Sequence, residues 1–398
     1  MKIISTYRLK NIILISFFFI TLFILLFFSS SNFESVKTST ILFIYNVLPS
    51  LFPFIFFTEI VLKTNIINIL SKYLGKIFSK LFKISEESTP AIIIGFLCGY
   101  PMGSKTVATI YEKNKISKKE ATTLLNFVNN CNPVFILSTV GISIFKNINI
   151  GIILIISHYL SAILIATFTT RFNYKSNIII HKKINNLNIN IKNTEKSVKD
   201  FSSFFDIIKM SLKNTFFTLA NIFGFIIIFN LISNVIKTVI LKLNISTAII
   251  STISGIFEVT NGINEICNTP ITLYSKICIV SFLLGFSGIC ILTQVYSTIS
   301  KHSFSFTRIL LFKFLQGVIS FFITYLILLF LGSNHISDIY VFNNLNENIT
   351  YSDFLNNISN YYLNSMLIII AFTIIIYILF FLYNRLKVKK YNKNKSSI

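Results

Sequence analysis

The chain carries little charge, since only 13% of its 398 residues are Asp, Glu, Lys or Arg. A soluble protein of this length usually divides into two or three domains with far more charge. Here 53% of the residues are hydrophobic, and several apolar runs reach about 18 residues, the length that crosses a bilayer core of roughly 30 Å. The sequence therefore predicts an all-α, polytopic integral membrane protein whose main partner is the lipid bilayer.

Acidic residues are scarce, with 14 Asp and Glu against 36 Lys and Arg. The resulting net charge of +22 would suit a nucleic-acid partner. However, the basic residues concentrate in short loops and tails, as the positive-inside rule expects, and the abundance of Lys, Ile, Asn and Phe indicates a general compositional bias. We therefore expect no nucleic-acid partner.

Motifs of catalysis and metal binding are missing. The five cysteines show no CxxC or other metal-ligand spacing, so they are expected to pack as small hydrophobic residues rather than to form disulfides or a zinc site. The sequence contains no Walker-type phosphate loop, no HExxH and no GxSxG motif, and its intramembrane ionisable residues are scattered. We therefore expect neither an enzyme nor a cofactor nor a bound metal.

Apolar runs and basic loops together predict about eight transmembrane helices, two broken or re-entrant segments and cytoplasmic termini. The first run, Asn11–Phe28, is predicted to be a signal anchor, with cleavage near Ser29–Ser31 as the alternative. The predicted organisation is an N-terminal signal-anchor helix (1–37), a first membrane half (38–170), a basic cytoplasmic linker (171–205), a second membrane half (206–332), an extracytoplasmic loop (333–361) and a last helix with a basic cytoplasmic tail (362–398).

Two alignments within the chain indicate an inverted repeat. Leu48–Val61 aligns without gaps on Leu219–Ile232, and Ile94–Ile110 can be laid on Leu283–Ile299 in the same order. Each match is weak alone, because Phe and Ile are common in this chain. The predicted topology runs the Leu48 copy inward and the Leu219 copy outward, which is the arrangement of many secondary transporters.

The stretch GFLCGYPMGSK places glycines and a proline inside an apolar run. Gly95, Gly99 and Gly103 would share one helix face and allow another helix to approach closely, whereas Pro101 removes a backbone donor and interrupts the helix. Irregular backbone at membrane depth is tolerated only against protein or a cavity. The stretch is therefore predicted to be a broken or re-entrant hairpin whose free backbone groups bind a polar ligand or an ion. Helix packing around a proline kink is the alternative.

The stretch NFVNNCNPVF adds Asn126, Asn129, Asn130 and Asn132 before Pro133 in another apolar segment. Amide side chains both donate and accept hydrogen bonds, so they suit a neutral polar ligand such as a sugar or a base. Asn126, Asn130 and Pro133 are predicted to lie on one helical face. Hydrogen bonding between helices is the alternative role of these amides.

Glu258 in GIFEVTNGI is an acidic residue in an apolar setting. A carboxylate at membrane depth is costly and marks a pathway, a proton relay or an ion pair. Together with Asn261, Glu258 predicts a helix break that carries ligands. Lys105 is a conceivable charge partner for Glu258, unless it extends to the membrane surface. Glu59 and Glu265 are expected to be exposed at the interface, because they lie near the ends of apolar segments.

These motifs predict a transporter or channel-like protein for a small polar solute, with Glu258 and Lys105 supplying charge coupling or gating. His158 is expected to be packed and hydrogen-bonded, and Gln294 either joins the polar site or bonds another helix. The predicted substrate-binding residues are Gly99, Tyr100, Pro101, Lys105, Asn126, Asn129, Asn130, Pro133, Glu258, Asn261 and Gln294.

The motifs GFLCGYPMGSK, NNCNPVFI, HYLSA, FEVTNG and GFSGICILTQ occur in this order, and over roughly residues 40–330 the chain resembles the YlbJ-type sporulation integral membrane proteins. The resemblance implies a "nucleoside recognition" or Gate domain, which is similar to part of the concentrative nucleoside transporters. It also implies a membrane of the sporulating cell and a role in spore cortex formation. It adds Gly95, Gly103 and Gly288 to the positions of interest. The pair Cys131-Asn132 departs from the family pattern, in which a small residue precedes the proline.

The resemblance also defines two competing functions. The first is transport of a solute that is nucleoside-like or related to the cell wall. The second is a non-transporting membrane scaffold that holds other sporulation membrane proteins during cortex assembly. Uptake of solute by the purified protein distinguishes the two.

Overall fold

The computed structural model describes residues 29–173, 201–241 and 245–341 and two single residues before them. These residues form helices joined by short connections, and they contain no β-strand. The predicted all-α architecture is therefore confirmed. The predicted signal anchor, most of the basic linker, most of the outer loop and the last helix lie outside the described residues.

Five helices of the described part are long and apolar enough to cross a membrane. They are Ser30–Lys63, Ile148–Arg171, Phe204–Thr238, Leu273–Ile299 and Phe306–Leu331. Two shorter helices are also apolar, so a protein that crosses the membrane several times is the architecture that fits this chain.

The helices are numbered in chain order. They are α1 (Ser29–Leu42), α2 (Leu48–Lys63), α3 (Ile66–Phe82), α4 (Thr89–Leu97), α5 (Met102–Glu112), α6 (Lys118–Leu125), α7 (Ile148–Asn173), α8 (Phe201–Ile240), α9 (Thr247–Phe257), α10 (Val259–Cys267), α11 (Leu273–Phe286), α12 (Gly288–Ile299) and α13 (Phe306–Val341). Two stretches are π-helical: Phe43–Val47 joins α1 to α2, and Phe135–Ile144 lies between α6 and α7.

Helices α4 and α5 form the first hairpin, which folds back at Gly99. Residues 95 and 103 would lie about 12 Å apart along a continuous helix, yet a Cβ atom built on Gly103 would lie 3.0 Å from the Cα atom of Gly95. The chain therefore reverses between them. Gly99 has a φ angle of 77°, which glycine adopts without strain. Pro101 directly precedes α5, where the missing backbone N–H leaves no helical hydrogen bond unmade. The predicted break is confirmed.

Helices α9 and α10 form the second hairpin, which turns at Glu258. The backbone of Glu258 is extended, with φ −137° and ψ 112°. Residues 255 and 262 would be about 10 Å apart along a continuous helix, but a Cβ atom on Gly262 would lie 2.0 Å from the Cα atom of Gly255. In both hairpins a pair of glycines therefore lets the two arms touch.

Two further helices are interrupted. Residues 126–132 are not helical and separate α6 from the helical residues that follow. Ser287 separates α11 from α12, and Ser287 and Gly288 have φ angles of 74° and 73°. Both segments were predicted as spans, and two irregular segments were expected in the chain. The described residues contain four irregular segments. Two of them were not predicted, because a glycine or asparagine break of a few residues leaves the hydropathy of a span unchanged.

The order of hairpin, interrupted helix and long helix occurs twice in the described residues. The first series runs from α4 to α7, and the second runs from α9 to α13. Helices α2 and α8 precede them, which agrees with the alignment of Leu48–Val61 on Leu219–Ile232. The alignment of Ile94–Ile110 on Leu283–Ile299 does not follow this order, because it matches a hairpin with an interrupted helix.

Helix boundaries differ from the predicted domain limits at two places. Helix α8 begins at Phe201, inside the segment predicted as a basic linker, and α13 continues to Val341, inside the segment predicted as an outer loop.

Apolar side chains of α2, α7 and α11 share one buried cluster, which includes Ile55, Leu154 and Leu283. Large aromatic side chains such as Phe216 (61% exposed) lie on the outside, as expected where lipid surrounds the protein.

Candidate functional site

The first hairpin packs directly on the break of the first interrupted helix. The backbone N–H of Tyr100 donates to the carbonyl oxygen of Asn130 at 2.9 Å. A Cβ atom on Gly99 would lie 2.8 Å from the backbone nitrogen of Asn132. The side-chain oxygen of Asn129 accepts from the backbone N–H of Ser104 at 3.0 Å. The two irregular segments therefore satisfy part of each other's backbone, as irregular structure at membrane depth requires.

The second hairpin packs in the same way on the break between α11 and α12. A Cβ atom on Gly288 would lie 3.3 Å from the carbonyl oxygen of Gly255 and 3.4 Å from the backbone nitrogen of Val259. The two halves meet where α5 contacts α12, since the hydroxyl groups of Ser104 and Thr298 are 2.9 Å apart. All four breaks are thus gathered in the centre of the described structure.

A cavity of about 30 Å³ lies among the four breaks. It has room for about two water molecules or one polar group of a solute, so a whole solute molecule enters only if the surrounding helices move apart. Each break, or the helix that begins at it, supplies lining residues. The polar ones are Tyr100, Asn132, Glu258, Thr260 and Gln294. The rest of the wall is mostly apolar and includes Leu51 of α2 and Ile226 of α8.

Asn132 presents an amide donor that has no partner. Its side-chain oxygen accepts from the backbone N–H of Val134 at 2.7 Å and so caps the following helix. Its side-chain nitrogen is buried and makes no hydrogen bond, although Asn132 is only 2% exposed and lines the cavity. Leaving a buried donor unpaired costs about 1–3 kcal/mol, so a hydrogen-bond acceptor in the cavity would bind favourably here.

Glu258 is held rigidly at the tip of the second hairpin. One carboxylate oxygen accepts from the backbone N–H of Thr260 at 3.0 Å, and the other accepts from that of Asn261 at 2.8 Å. These two bonds cap α10 and place a negative charge at its N-terminus, where the helix dipole favours it. Glu258 is 1% exposed and faces the cavity. The predicted helix break at this position is confirmed, and the binding of a ligand by Glu258 stays a prediction.

Lys105 does not approach Glu258, contrary to the predicted charge pair. Its ammonium contacts the carboxylate of Glu59 on α2. Glu59 also receives a hydrogen bond from the amide of Asn214 at 2.9 Å and lies 3.6 Å from the ammonium of Lys63. The exposure predicted for Glu59 is wrong, because the residue is only 1% exposed. Lys105 is not among the residues that line the cavity.

The predicted asparagine face is also wrong, because residues 129–132 do not form a helix. Asn126 is fully buried away from the cavity, and neither atom of its amide has a hydrogen-bond partner. Asn129 and Asn130 bond to neighbouring protein groups instead of facing the cavity. Of the predicted binding residues, only Tyr100, Glu258 and Gln294 line the cavity; Gly99, Pro101, Pro133 and Asn261 lie beside lining residues in the chain.

Polar side chains from α7 and α13 support the first interrupted helix. Nε2 of His158 accepts from the backbone N–H of Cys131 at 3.0 Å, so His158 is hydrogen-bonded as expected. Lys313 and Gln316 were not predicted from the sequence. Lys313 donates to the carbonyl oxygen of Asn129, and Gln316 donates to the side-chain oxygen of Asn130. The lysine inside the apolar run of α13 is the sequence feature from which a role for Lys313 and Gln316 could have been predicted.

Metal-binding clusters are absent from the part of the chain that the structure describes: no group of three or more His, Cys, Asp or Glu side chains is arranged to hold an ion there. The cavity instead offers hydroxyl, amide and carboxylate groups. Such groups can bind a small polar molecule by hydrogen bonds.

Comparison with known proteins gives one relative. The chain matches no protein-family model. It also matches no solved structure. It is 26% identical over 330 residues to the sporulation integral membrane protein YlbJ of Bacillus subtilis (strain 168), a match that covers 78% of this chain and 81% of the relative. This match supports the relationship to the YlbJ-type sporulation integral membrane proteins that the ordered motifs indicate.

Proposed function

We propose that this chain is a membrane protein of sporulating cells that binds a small polar solute in the cavity among the four breaks and moves it across the membrane. The association with sporulation rests on the name of the relative, which is a sporulation integral membrane protein. The binding role rests mainly on Asn132, which lines the cavity and whose buried amide nitrogen has no hydrogen-bond partner. The proposed role is not catalytic.

The lining groups favour a neutral solute that both donates and accepts hydrogen bonds. Asn132 supplies a donor, and the side-chain oxygen of Gln294 supplies an acceptor, since its nitrogen already donates to the sulfur of Cys290 at 3.3 Å. The carboxylate of Glu258 disfavours an anion in the same cavity. Nucleosides and uncharged sugars have this chemistry, and so do amino sugars whose nitrogen is acylated.

Access to the cavity is proposed to come through the two hairpins. Between them lie the first interrupted helix, α7 and α8. If each of these crosses the membrane once, the number of crossings is odd and the hairpins enter from opposite faces, as in the inverted repeats of transporters. This topology agrees with a cytoplasmic basic linker and cytoplasmic termini, as the loop charges predict.

Ion pairs hold the second arm of each hairpin beside different parts of α8. Lys105 of the first hairpin contacts Glu59 of α2, which is bonded to Asn214 in the first half of α8. Glu265 of the second hairpin pairs with Lys237 near the end of α8 at 2.9 Å. Breaking one pair at a time would let one hairpin move while the other stays closed.

Replacement of a cavity residue should stop solute movement without unfolding the protein. In proteoliposomes offered a panel of labelled nucleosides, sugars and amino sugars, we expect the wild type to take up at least one solute. Asn132→Ser keeps a side-chain oxygen that can cap the next helix but removes the free donor, so uptake should fall at least about tenfold. Glu258→Gln keeps an acceptor and removes the charge, and it should have a similar effect.

The matched control is Asn268→Ser, the same chemical change at an exposed position outside the cavity. Its uptake should equal that of the wild type. Asn130→Ala is not equivalent to the cavity variants, because it removes the acceptor of Gln316. If no solute on the panel is taken up, or if the cavity variants are fully active in a solute assay, the transport proposal fails. Recovery of partner membrane proteins by crosslinking would then favour the scaffold.

A further inference from the structure

Lys313 places a positive charge in the interior of a predicted membrane span. It lies on α13 within the apolar run Phe306–Leu331, and it is 0% exposed. Its ammonium donates to the carbonyl oxygen of Asn129 and to the side-chain oxygen of Gln316, each at 2.8 Å. No carboxylate among the described residues forms an ion pair with it. Its partners are therefore neutral oxygens.

One of these oxygens, the carbonyl oxygen of Asn129, belongs to the break of the first interrupted helix, and the other belongs to Gln316 on α13. Asn129 lies within the non-helical residues 126–132, so its carbonyl oxygen is free to face Lys313. Gln316, one turn along α13 from Lys313, also donates to the side-chain oxygen of Asn130 at 3.2 Å. Two neighbouring side chains of α13 thus hold two consecutive residues of the break.

Unwound carbonyls at such breaks coordinate cations in transporters that are built from broken helices. A charge buried at this depth is costly unless a specific group stabilises it. We propose that the break of the first interrupted helix is a cation site and that the ammonium of Lys313 is its permanent occupant. Lys313 is then a positioning residue, because it fixes the backbone just before Cys131 and Asn132 rather than touching solute. The proposal does not depend on solute movement.

The test is whether a small cation in solution can replace the missing ammonium. Lys313→Ala removes the ammonium and leaves room beside the Asn129 and Gln316 oxygens. The melting temperature of the purified full chain in detergent is measured in sodium, potassium, methylammonium or choline chloride at equal ionic strength. The wild type should melt at the same temperature in all four salts. Lys313→Ala should melt lowest in choline, and a saturating small cation should raise its melting temperature by at least about 3 °C.

Two further variants show where the cation binds. Lys276→Ala removes an ammonium that donates to the carbonyl oxygen of Cys267 at 2.6 Å in a partly exposed position, and it should show no preference among cations because water can replace it. Adding Gln316→Leu to Lys313→Ala removes the second oxygen, and it should abolish the stabilisation by small cations.

Three results would overturn the proposal. The first is a Lys313→Ala protein that melts at one temperature in every salt, choline included. The second is failure of Lys313→Ala to fold in any of the four salts. The third comes from Lys313→Gln, which supplies a neutral donor: if its melting temperature in choline equals that of the wild type, a hydrogen bond suffices and no cation is needed.

Discussion

Gly95→Ala is expected to lower the free energy of unfolding by about 3 kcal/mol, the upper end for an overpacked site. The added Cβ atom would lie 2.1 Å from the carbonyl oxygen of Val128 and 2.9 Å from its carbonyl carbon. These are backbone atoms of the interrupted helix, so no side chain can turn away to make room. The first hairpin would have to separate from the break against which it packs. Unfolding in mixed micelles with increasing SDS measures the loss.

Gly224→Ala is the matched control for this substitution. Gly224 lies inside α8, and an added Cβ atom would have no neighbour within 4 Å. Alanine is a better helix former than glycine by up to about 1 kcal/mol, so this variant should be as stable as the wild type or more stable. Equal stability of Gly95→Ala and Gly224→Ala would show that the hairpin and the break do not touch.

Lys105→Met is expected to lower the free energy of unfolding by about 2–3 kcal/mol. Breaking a fully buried ion pair by removing one partner costs about 3–5 kcal/mol. The value here should be smaller, because the side chain of Lys105 is 30% exposed and Lys63 remains 3.6 Å from the same carboxylate. Glu59 itself has almost no contact with water, with a side chain 2% exposed. The same micelle titration measures the effect.

Lys237→Met provides the comparison, since it removes one partner of the ion pair between the second hairpin and α8. The side chains of Lys237 and Glu265 are 34% and 27% exposed, and such pairs contribute up to about 1 kcal/mol. Adding Glu59→Leu to Lys105→Met should recover part of the lost stability, because no buried carboxylate is then left without its lysine. A loss from Lys105→Met no larger than that from Lys237→Met would contradict the buried pair.

Much of the fold follows from hydropathy and from the placement of glycine and proline. Long apolar runs predict the long helices, because only a helix satisfies its own backbone in lipid. Glycines on both sides of Pro101 predict the first hairpin, because they interrupt a helix at a depth where irregular backbone must pack against protein or a cavity. The break at Ser287 was not predicted, since Ser and Gly in an apolar run are equally compatible with close helix packing. The positive φ angles of Ser287 and Gly288 show the break, and the second hairpin packs against it.

The site was less predictable than the fold, because it depends on which groups become partners. Glu258 could be identified from its apolar surroundings alone. Glu59 was assigned to the interface because it lies near the end of α2, whereas Lys105, distant in sequence, buries it. Asn132 was recognised as one of four asparagines, but the sequence does not distinguish the one that faces the cavity from those that bond to the protein. That choice depends on the non-helical backbone of residues 129–132.

The arrangement explains why so many backbone irregularities lie in an apolar chain. Each hairpin satisfies part of the backbone of the interrupted helix on which it packs, as the bond from Tyr100 to Asn130 illustrates. Some polar groups remain without a partner, such as the amide nitrogen of Asn132, a residue that lines the cavity. The irregular segments therefore create polar chemistry at a depth where regular helices would present only side chains.

Labelling of a single cysteine tests most directly whether this cavity is a hydrated site for solute. In a protein whose five native cysteines are replaced by serine or alanine, Gln294→Cys places a thiol in the cavity wall, and Leu292→Cys places one in the buried core of the same helix. A small, charged thiol reagent should modify position 294 in the folded protein, more slowly when a bound solute is present, and should not modify position 292. A thiol at position 294 that reacts only after denaturation would contradict the account.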